Sequence, residues 1–257
     1  MKVLLIFSLL LFSYSKGLAQ KELFEVRSID ADSQKEIKFM NPEYLLASPE
    51  TDSKDLLPIL IYLHGAGGRG DDIQKIRGQV GPILEGIAKF EKGPCLVVAP
   101  QCLRAVPGEE NSIWSADDLN VFLKHLKATL PIDESRIFLT GNSMGGYGTW
   151  VWGATSPEHF AAIAPVSGGI GRGGPKDVTP EIDAWIKNLA TIPVYAFVGA
   201  SDKVVPPDRS QRLIDGIKNA GGNKAKIKVY PEGGHGVRGE VYATSEFYDW
   251  LFSKRRE

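Results

Sequence analysis

The sequence predicts an α/β fold in one domain: a mostly parallel central sheet with helices on both faces. Three observations carry this. Pro58–Leu63 is an unbroken apolar run bounded by proline and glycine, as a strand buried on both faces requires. From Leu96 onward, strand-like and helix-like segments alternate to the end of the chain. At 257 residues, with 43% hydrophobic and 24% charged side chains, the chain suits one sizeable α/β domain.

The first residues differ from the rest. Lys2 is followed by the nearly continuous apolar run Val3 to Phe12, and then by the small residues Gly17 and Ala19. That order of charge, apolar run and small residues is a secretory signal peptide, with cleavage expected after Ala19. Residues 1–19 are therefore set apart, 20–257 form the domain, and a secreted or periplasmic location follows. The run falls short of the roughly 20 residues that cross a bilayer, so no stable membrane insertion is expected. The alternative is an uncleaved N-terminal anchor. Cys95 and Cys102 lie seven positions apart in extended chain. That separates them by about 20 Å, against the 7 Å or so that a disulfide tolerates. Two buried, unpaired thiols are expected.

The expected elements run as follows. Glu22–Ile29 alternates as a strand; Glu36–Met40 and Glu43–Ala47 read as two more, with Pro42 between them. After the Pro58–Leu63 strand comes an apparent helix behind Pro82, then the strand Leu96–Ala99. Trp114–Leu130 has helical spacing and stops at Pro131. Arg136–Thr140 is a strand and Gly145–Ala154 a helix; Phe160–Val166 and Ile182–Leu189 repeat the pair. Val194–Val198, Asp208–Asn219 and Ala225–Tyr230 continue it, and Tyr242–Phe252 closes as one amphipathic helix. The irregular stretches are Gln101–Ile113 and Ser167–Pro180, the second rich in glycine. In an open parallel sheet, chemistry gathers at the carboxyl ends of the strands.

Gly141-Asn-Ser-Met-Gly145 stands between a strand and a helix. As a three-residue pattern G-x-S-x-G is weak, and a glycine turn with a capping serine also fits it. At a strand-to-helix hinge it gains force, because small residues allow the sharp turn that lifts the Ser143 hydroxyl above the sheet. A serine needs a base. Of four histidines, His125 lies within a helix at a surface or boundary position and His159 precedes a strand. His235, in Gly233-Gly-His-Gly236, is the one after Ser143 at a strand's carboxyl end. Asp202 follows its strand through Gly199-Ala-Ser201 and is the carboxylate to orient that base; Asp208 and Asp215 look solvated.

His64-Gly-Ala-Gly-Gly-Arg-Gly70 follows the Leu63 strand and can present backbone N–H groups to a developing oxyanion. Gly65, Gly67 and Gly70 also match the G-x-G-x-x-G of dinucleotide binders. Asp71 and Asp72, and the absence of a carboxylate at a strand end some 20 residues on, oppose that reading. No cluster has zinc-like spacing, so no metal and no cofactor are expected. The net charge of −1 gives no reason to expect nucleic acid.

LHGAGG (63–68), GNSMGGYG (141–148), GASD (199–202) and GGHG (233–236) together resemble the α/β-hydrolase superfamily, from about residue 22 to the end. Within it the chain is similar to compact secreted esterases: polyhydroxybutyrate depolymerases, feruloyl and acetylxylan esterases, and dienelactone hydrolases. It also resembles the catalytic domain of prolyl oligopeptidases. The resemblance implies an ester hydrolase with Ser143, Asp202 and His235 as its triad and the N–H groups of Ala66 and Met144 as its oxyanion hole. Dienelactone hydrolases usually carry cysteine where Ser143 stands, which argues against that particular activity. Too few residues separate Val166 from Ile182 for a cap domain. An open site suits bulky or polymeric esters, such as acetyl or feruloyl esters on polysaccharide, with Trp114 and Trp185 as stacking candidates or plain core residues. A serine peptidase, an acyltransferase and a non-catalytic binding protein are the alternatives. Nothing in these motifs bears on oligomeric state.

Overall fold

The computed structural model describes residues 23–90, 92–107, 113–170 and 181–257. The expected signal peptide, and Gly171, Gly173 and Gly174 of the glycine-rich stretch, lie outside the described residues.

Strands β1 (Glu25–Ser28), β2 (Met40–Ala47), β3 (Leu57–Leu63), β4 (Leu96–Cys102), β5 (Ile132–Asn142), β6 (Ala162–Val166), β7 (Val194–Gly199) and β8 (Ala225–Tyr230) form one sheet in the order β1-β2-β4-β3-β5-β6-β7-β8. Pairings from β4 to β8 are parallel; β1–β2 and β2–β4 are antiparallel. Side chains alternate between the two faces as a pleated strand dictates. Ile59, Ile61, Val98, Leu139 and Ala196 enter one core, and Leu60, Tyr62, Val97, Phe138 and Phe197 the other. Both faces are covered, which is why β3 is apolar throughout and β4 is apolar up to Gln101, whose side chain is buried and hydrogen-bonded.

Helices α3 (Ala116–Thr129), α4 (Met144–Thr155), α5 (Ile182–Leu189) and α6 (Asp208–Asn219) fill the first core, following a short α1 (Ser33–Glu36) and α2 (Arg77–Lys89). The second core takes α2, α7 (Arg238–Tyr242) and α8 (Ser245–Phe252). Among the described residues there is no cap domain.

The sequence expectations need four corrections. Glu36–Met40 is not a strand, since Ser33–Glu36 is helical and pairing begins at Met40. Pro42 does not divide two strands. It lies inside β2 where the register against β4 shifts between Met40 and Tyr44, a bulge that needs no N–H there. The Pro42 carbonyl still accepts from Ile29 N at 3.0 Å. The closing helix is two helices, α7 and α8, broken at Ala243 and Thr244. His125 is buried rather than at the surface, with Nδ1 3.1 Å from Asp30 Oδ2.

The strand order explains where a site can form. From β3 the chain moves outward to β4, then crosses back to β5 on the other side of β3. The order therefore reverses between β3 and β5, which opens a crevice at their carboxyl ends. Those ends are Leu63 and Asn142, so the loop that starts at His64 and the turn that holds Ser143 face each other across it.

Candidate active site

Ser143 joins β5 to α4 with φ 57° and ψ −118°. A non-glycine residue there is strained, and such strain persists only where the surroundings enforce it. Here they do. Ser143 N donates to Val166 O on β6 at 2.9 Å, and Ser143 O accepts from Tyr147 N at 2.9 Å. A Cβ at position 145 would stand 1.9 Å from the Leu63 carbonyl oxygen, so only glycine lets the turn press against β3. Ser167, the residue after β6, has φ 47° and is also strained. Its N–H donates to Phe197 O at 2.9 Å.

The three residues expected to form a triad meet. His235 Nε2 lies 2.9 Å from Ser143 Oγ, and His235 Nδ1 lies 2.8 Å from Asp202 Oδ2. The Asp202 side chain is fully buried, whereas His235 is 31% exposed and open to solvent. Asp202 Oδ1 accepts from Val204 N and Val205 N, each at 2.9 Å. A carboxylate only accepts, so the histidine proton sits on Nδ1 and Nε2 is free to take the serine proton. The β7 end and the histidine loop approach closely: Ser201 N donates to Gly233 O at 2.9 Å. Asp208 and Asp215 are exposed, as the sequence suggested.

Across the crevice, His64 is fully buried. Its Nε2 accepts from Cys102 N at 2.9 Å, so the ring proton is on Nδ1, which donates to Gly65 O at 2.7 Å. Burial pushes the His64 pKa down to about 4 and keeps the ring neutral. A Cβ on Gly65 would stand 3.6 Å from Ser143 Cβ, so the loop lies beside Ser143. Ala66 opens a 3-10 turn, Ala66–Gly68, and is exposed; Met144 opens α4. The first N–H groups of such turns have no partner within the turn and carry partial positive charge, as an oxyanion hole needs.

Trp114 lies beneath this loop. It is 6% exposed, donates from Nε1 to His64 O at 3.1 Å and packs edge-on against the His64 ring at 4.8 Å. Those contacts support the loop and leave almost no ring surface to stack on a ligand. Trp185 is half-buried against the core on α5. Cys95 and Cys102 are buried and free, and burial pushes the Cys102 thiol up to about 12.

Sequence reasoning missed a set of polar residues behind the loops that carry Ser143 and Gly65. Tyr62 OH donates to Asn142 Oδ1 at 2.5 Å, and Gly65 N donates to Gln79 Oε1 at 3.3 Å. Arg238 contacts both Tyr62 and Gln79. The available signal was position: Asn142 adjoins Ser143, and Arg238 is three residues past His235.

A family model described as "Dienelactone hydrolase family" matches residues 109–243, more than half of the chain and inclusive of Ser143, Asp202 and His235. A protein named "Probable feruloyl esterase C" from Aspergillus terreus is 26% identical over 190 residues, covering 71% of this chain and 68% of that protein. An "Uncharacterized secreted protein" from Arthroderma benhamiae is 27% identical over 224 residues, 76% of this chain and 23% of that one. Among solved structures, one described as a thermostable esterase superposes with a TM-score of 0.73 at 28% identity, covering 91% of this chain and 64% of that chain. The architecture is the α/β-hydrolase fold.

Proposed function

The chain belongs to the dienelactone hydrolase family and is thereby a carboxylic ester hydrolase, and on that premise we propose that it works through an acyl-enzyme on Ser143. The observation that carries this is the unbroken relay Asp202–His235–Ser143, with contacts of 2.8 and 2.9 Å.

In this mechanism His235 Nε2 takes the Ser143 proton as Oγ attacks the ester carbonyl carbon. The buried Asp202 carboxylate stabilises the imidazolium. Charge that develops on the carbonyl oxygen is met by the Ala66 and Met144 N–H groups; losing one such donor costs about 3 kcal/mol of transition-state stabilisation. Collapse of the tetrahedral intermediate breaks the C–O bond, and the leaving alcohol takes the proton from His235. Water then attacks the acyl carbon, gives its proton to His235, and the acid leaves as Ser143 regains that proton.

Serine in the nucleophile position supports ordinary esters over a dienelactone. The absence of a cap among the described residues, and the likeness to a feruloyl esterase, support acetyl or feruloyl esters carried on plant polysaccharide. The charged, apolar and small-residue order of the first 19 residues, and the secreted relative, support export. No helix among the described residues is long and apolar enough to cross a membrane.

The test is release of nitrophenol from p-nitrophenyl acetate by wild type and Ser143→Ala. Turnover that the variant loses by about 1,000-fold or more is expected. Methyl ferulate and acetylated xylan then separate the two acyl classes. Equal, slow rates in both proteins would overturn the serine nucleophile, and cleavage confined to peptide substrates would make the protein a peptidase.

A further inference from the structure

Three loops must hold their relative positions for this chemistry: the turn with Ser143, the loop with Ala66 and the loop with His235. They leave three different strands, β5, β3 and β8, and nothing in the triad itself fixes the Ala66 loop against the other two.

One guanidinium touches the supports of all three. Arg238 begins α7, one turn past His235. Its Nη1 lies 3.3 Å from Tyr62 OH and 3.5 Å from Gln79 Oε1. The Tyr62 hydroxyl donates to Asn142 Oδ1 at 2.5 Å, so its oxygen is left to accept from Arg238. Gln79 Oε1 also accepts the Gly65 N–H at 3.3 Å, and Gly65 immediately precedes Ala66. The two branches converge again, because a Cβ at Gly65 would stand 3.0 Å from Asn142 Nδ2. Tyr62 is fully buried, so its place is determined by packing rather than by solvent.

We infer that Arg238 is a positioning residue that sets the oxyanion loop against the nucleophile turn by bridging Tyr62 and Gln79 from the histidine segment. Both contacts run through Nη1, whose N–H directions are fixed in the plane of the guanidinium, whereas a lysine ammonium turns freely on a flexible stem and fixes neither. The inference rests on the esterase reading above, and it adds a role in the reaction for residues that touch neither the substrate nor the reacting atoms.

The experiment compares wild type, Arg238→Met, Arg238→Lys and Tyr62→Phe. It reads kcat and KM on p-nitrophenyl acetate, the inhibition constant of phenylboronic acid, and Tm. Phenylboronic acid adds Ser143 Oγ to boron and places a boronate oxygen in the oxyanion hole. Displacing a catalytic group by a fraction of an ångström to 1 Å lowers rates by up to about 100-fold. Arg238→Met should therefore lower kcat by about 10- to 100-fold, keep KM within about threefold, and weaken the boronate by the same factor as kcat/KM. Arg238→Lys should recover part of the loss. Combining Arg238→Met with Tyr62→Phe should cost less than the product of the two, because both break one network. Should Arg238→Met fail to fold, Tyr62→Phe, which removes a single oxygen, carries the same comparison. An unchanged kcat, a loss confined to KM, or a boronate affinity that does not follow kcat/KM would overturn the positioning role. An inactive wild type would overturn the esterase reading and this role together, whereas an active wild type with unaffected variants would overturn this role alone.

Discussion

His64 Nδ1 donates to the carbonyl oxygen of its neighbour Gly65 at 2.7 Å, so the residue that opens the proposed oxyanion loop also orients the peptide plane that carries the Ala66 N–H. In a trans peptide the C=O and N–H point in opposite directions, so holding one aims the other. The ring can make both of its contacts only while neutral, because Nε2 accepts from Cys102 N. Burial lowers the His64 pKa to about 4, against an unfolded value near 6.5. Between those values the unfolded chain takes up a proton that the folded chain refuses. The contribution is therefore whole above about pH 6.5 and is lost as pH falls toward 4. Urea unfolding at pH 7 and pH 5 should show wild type losing about 2 kcal/mol from this residue, and His64→Asn should lack that component. Equal pH slopes in the two proteins would show that the ring is not held neutral by the fold.

Asp202→Asn should leave the fold intact and lower kcat by about 10,000-fold, the scale of a wrong histidine tautomer in serine enzymes. The argument is one of donors. Oδ1 of Asp202 faces the N–H groups of Val204 and Val205, so an asparagine must place its oxygen there and its NH2 toward His235. That NH2 needs an acceptor, which moves the histidine proton to Nε2 and removes the base from Ser143. Steady-state kinetics beside circular dichroism checks this; a variant within tenfold of wild type would show that Asp202 does not set the tautomer.

The sequence made the sheet legible because burial on both faces leaves β3 an unbroken apolar run and β4 apolar up to Gln101, and made the proposed triad legible because each member lies past the carboxyl end of a strand. What it hid depends on distant partners. Pro42 reads as a strand breaker until the β2–β4 register shift gives its missing N–H a place. Trp114 reads as core or, less readily, as a stacking platform, since only the fold shows its Nε1 committed to His64 O. Arg238, Tyr62 and Gln79 are ordinary residues 159 and 176 positions apart along the arginine's two contacts, so no local pattern joins them.

Trp114→Phe keeps an aromatic ring but removes the bond to the His64 carbonyl. A buried acceptor left without that partner should cost roughly 1–3 kcal/mol, seen as a lower Tm. The loosened loop should lower kcat on nitrophenyl acetate and on a feruloylated oligosaccharide by the same factor, with KM unchanged for both. A KM that rises only for the oligosaccharide would instead place the ring in contact with sugar.

Gly145 and Gly67 lie on opposite sides of the crevice and predict opposite outcomes. At position 145 a Cβ would stand 1.9 Å from Leu63 O and 2.5 Å from Leu63 C, both backbone atoms of the central strand. Neither can yield without moving β3 or the turn that holds Ser143. Gly145→Ala should therefore fail to accumulate as soluble protein, or lose several kcal/mol of stability together with its activity. At position 67 a Cβ meets nothing within 4 Å, and the residue has no positive φ. Gly67→Ala should stay within about 0.5 kcal/mol of wild type, and on the favourable side, since alanine restricts the unfolded chain more than glycine does. Its kcat is the informative reading. An unchanged value means that the loop works as a rigid donor held by His64 and Gln79, whereas a clear fall means that Gly67 must change conformation during turnover.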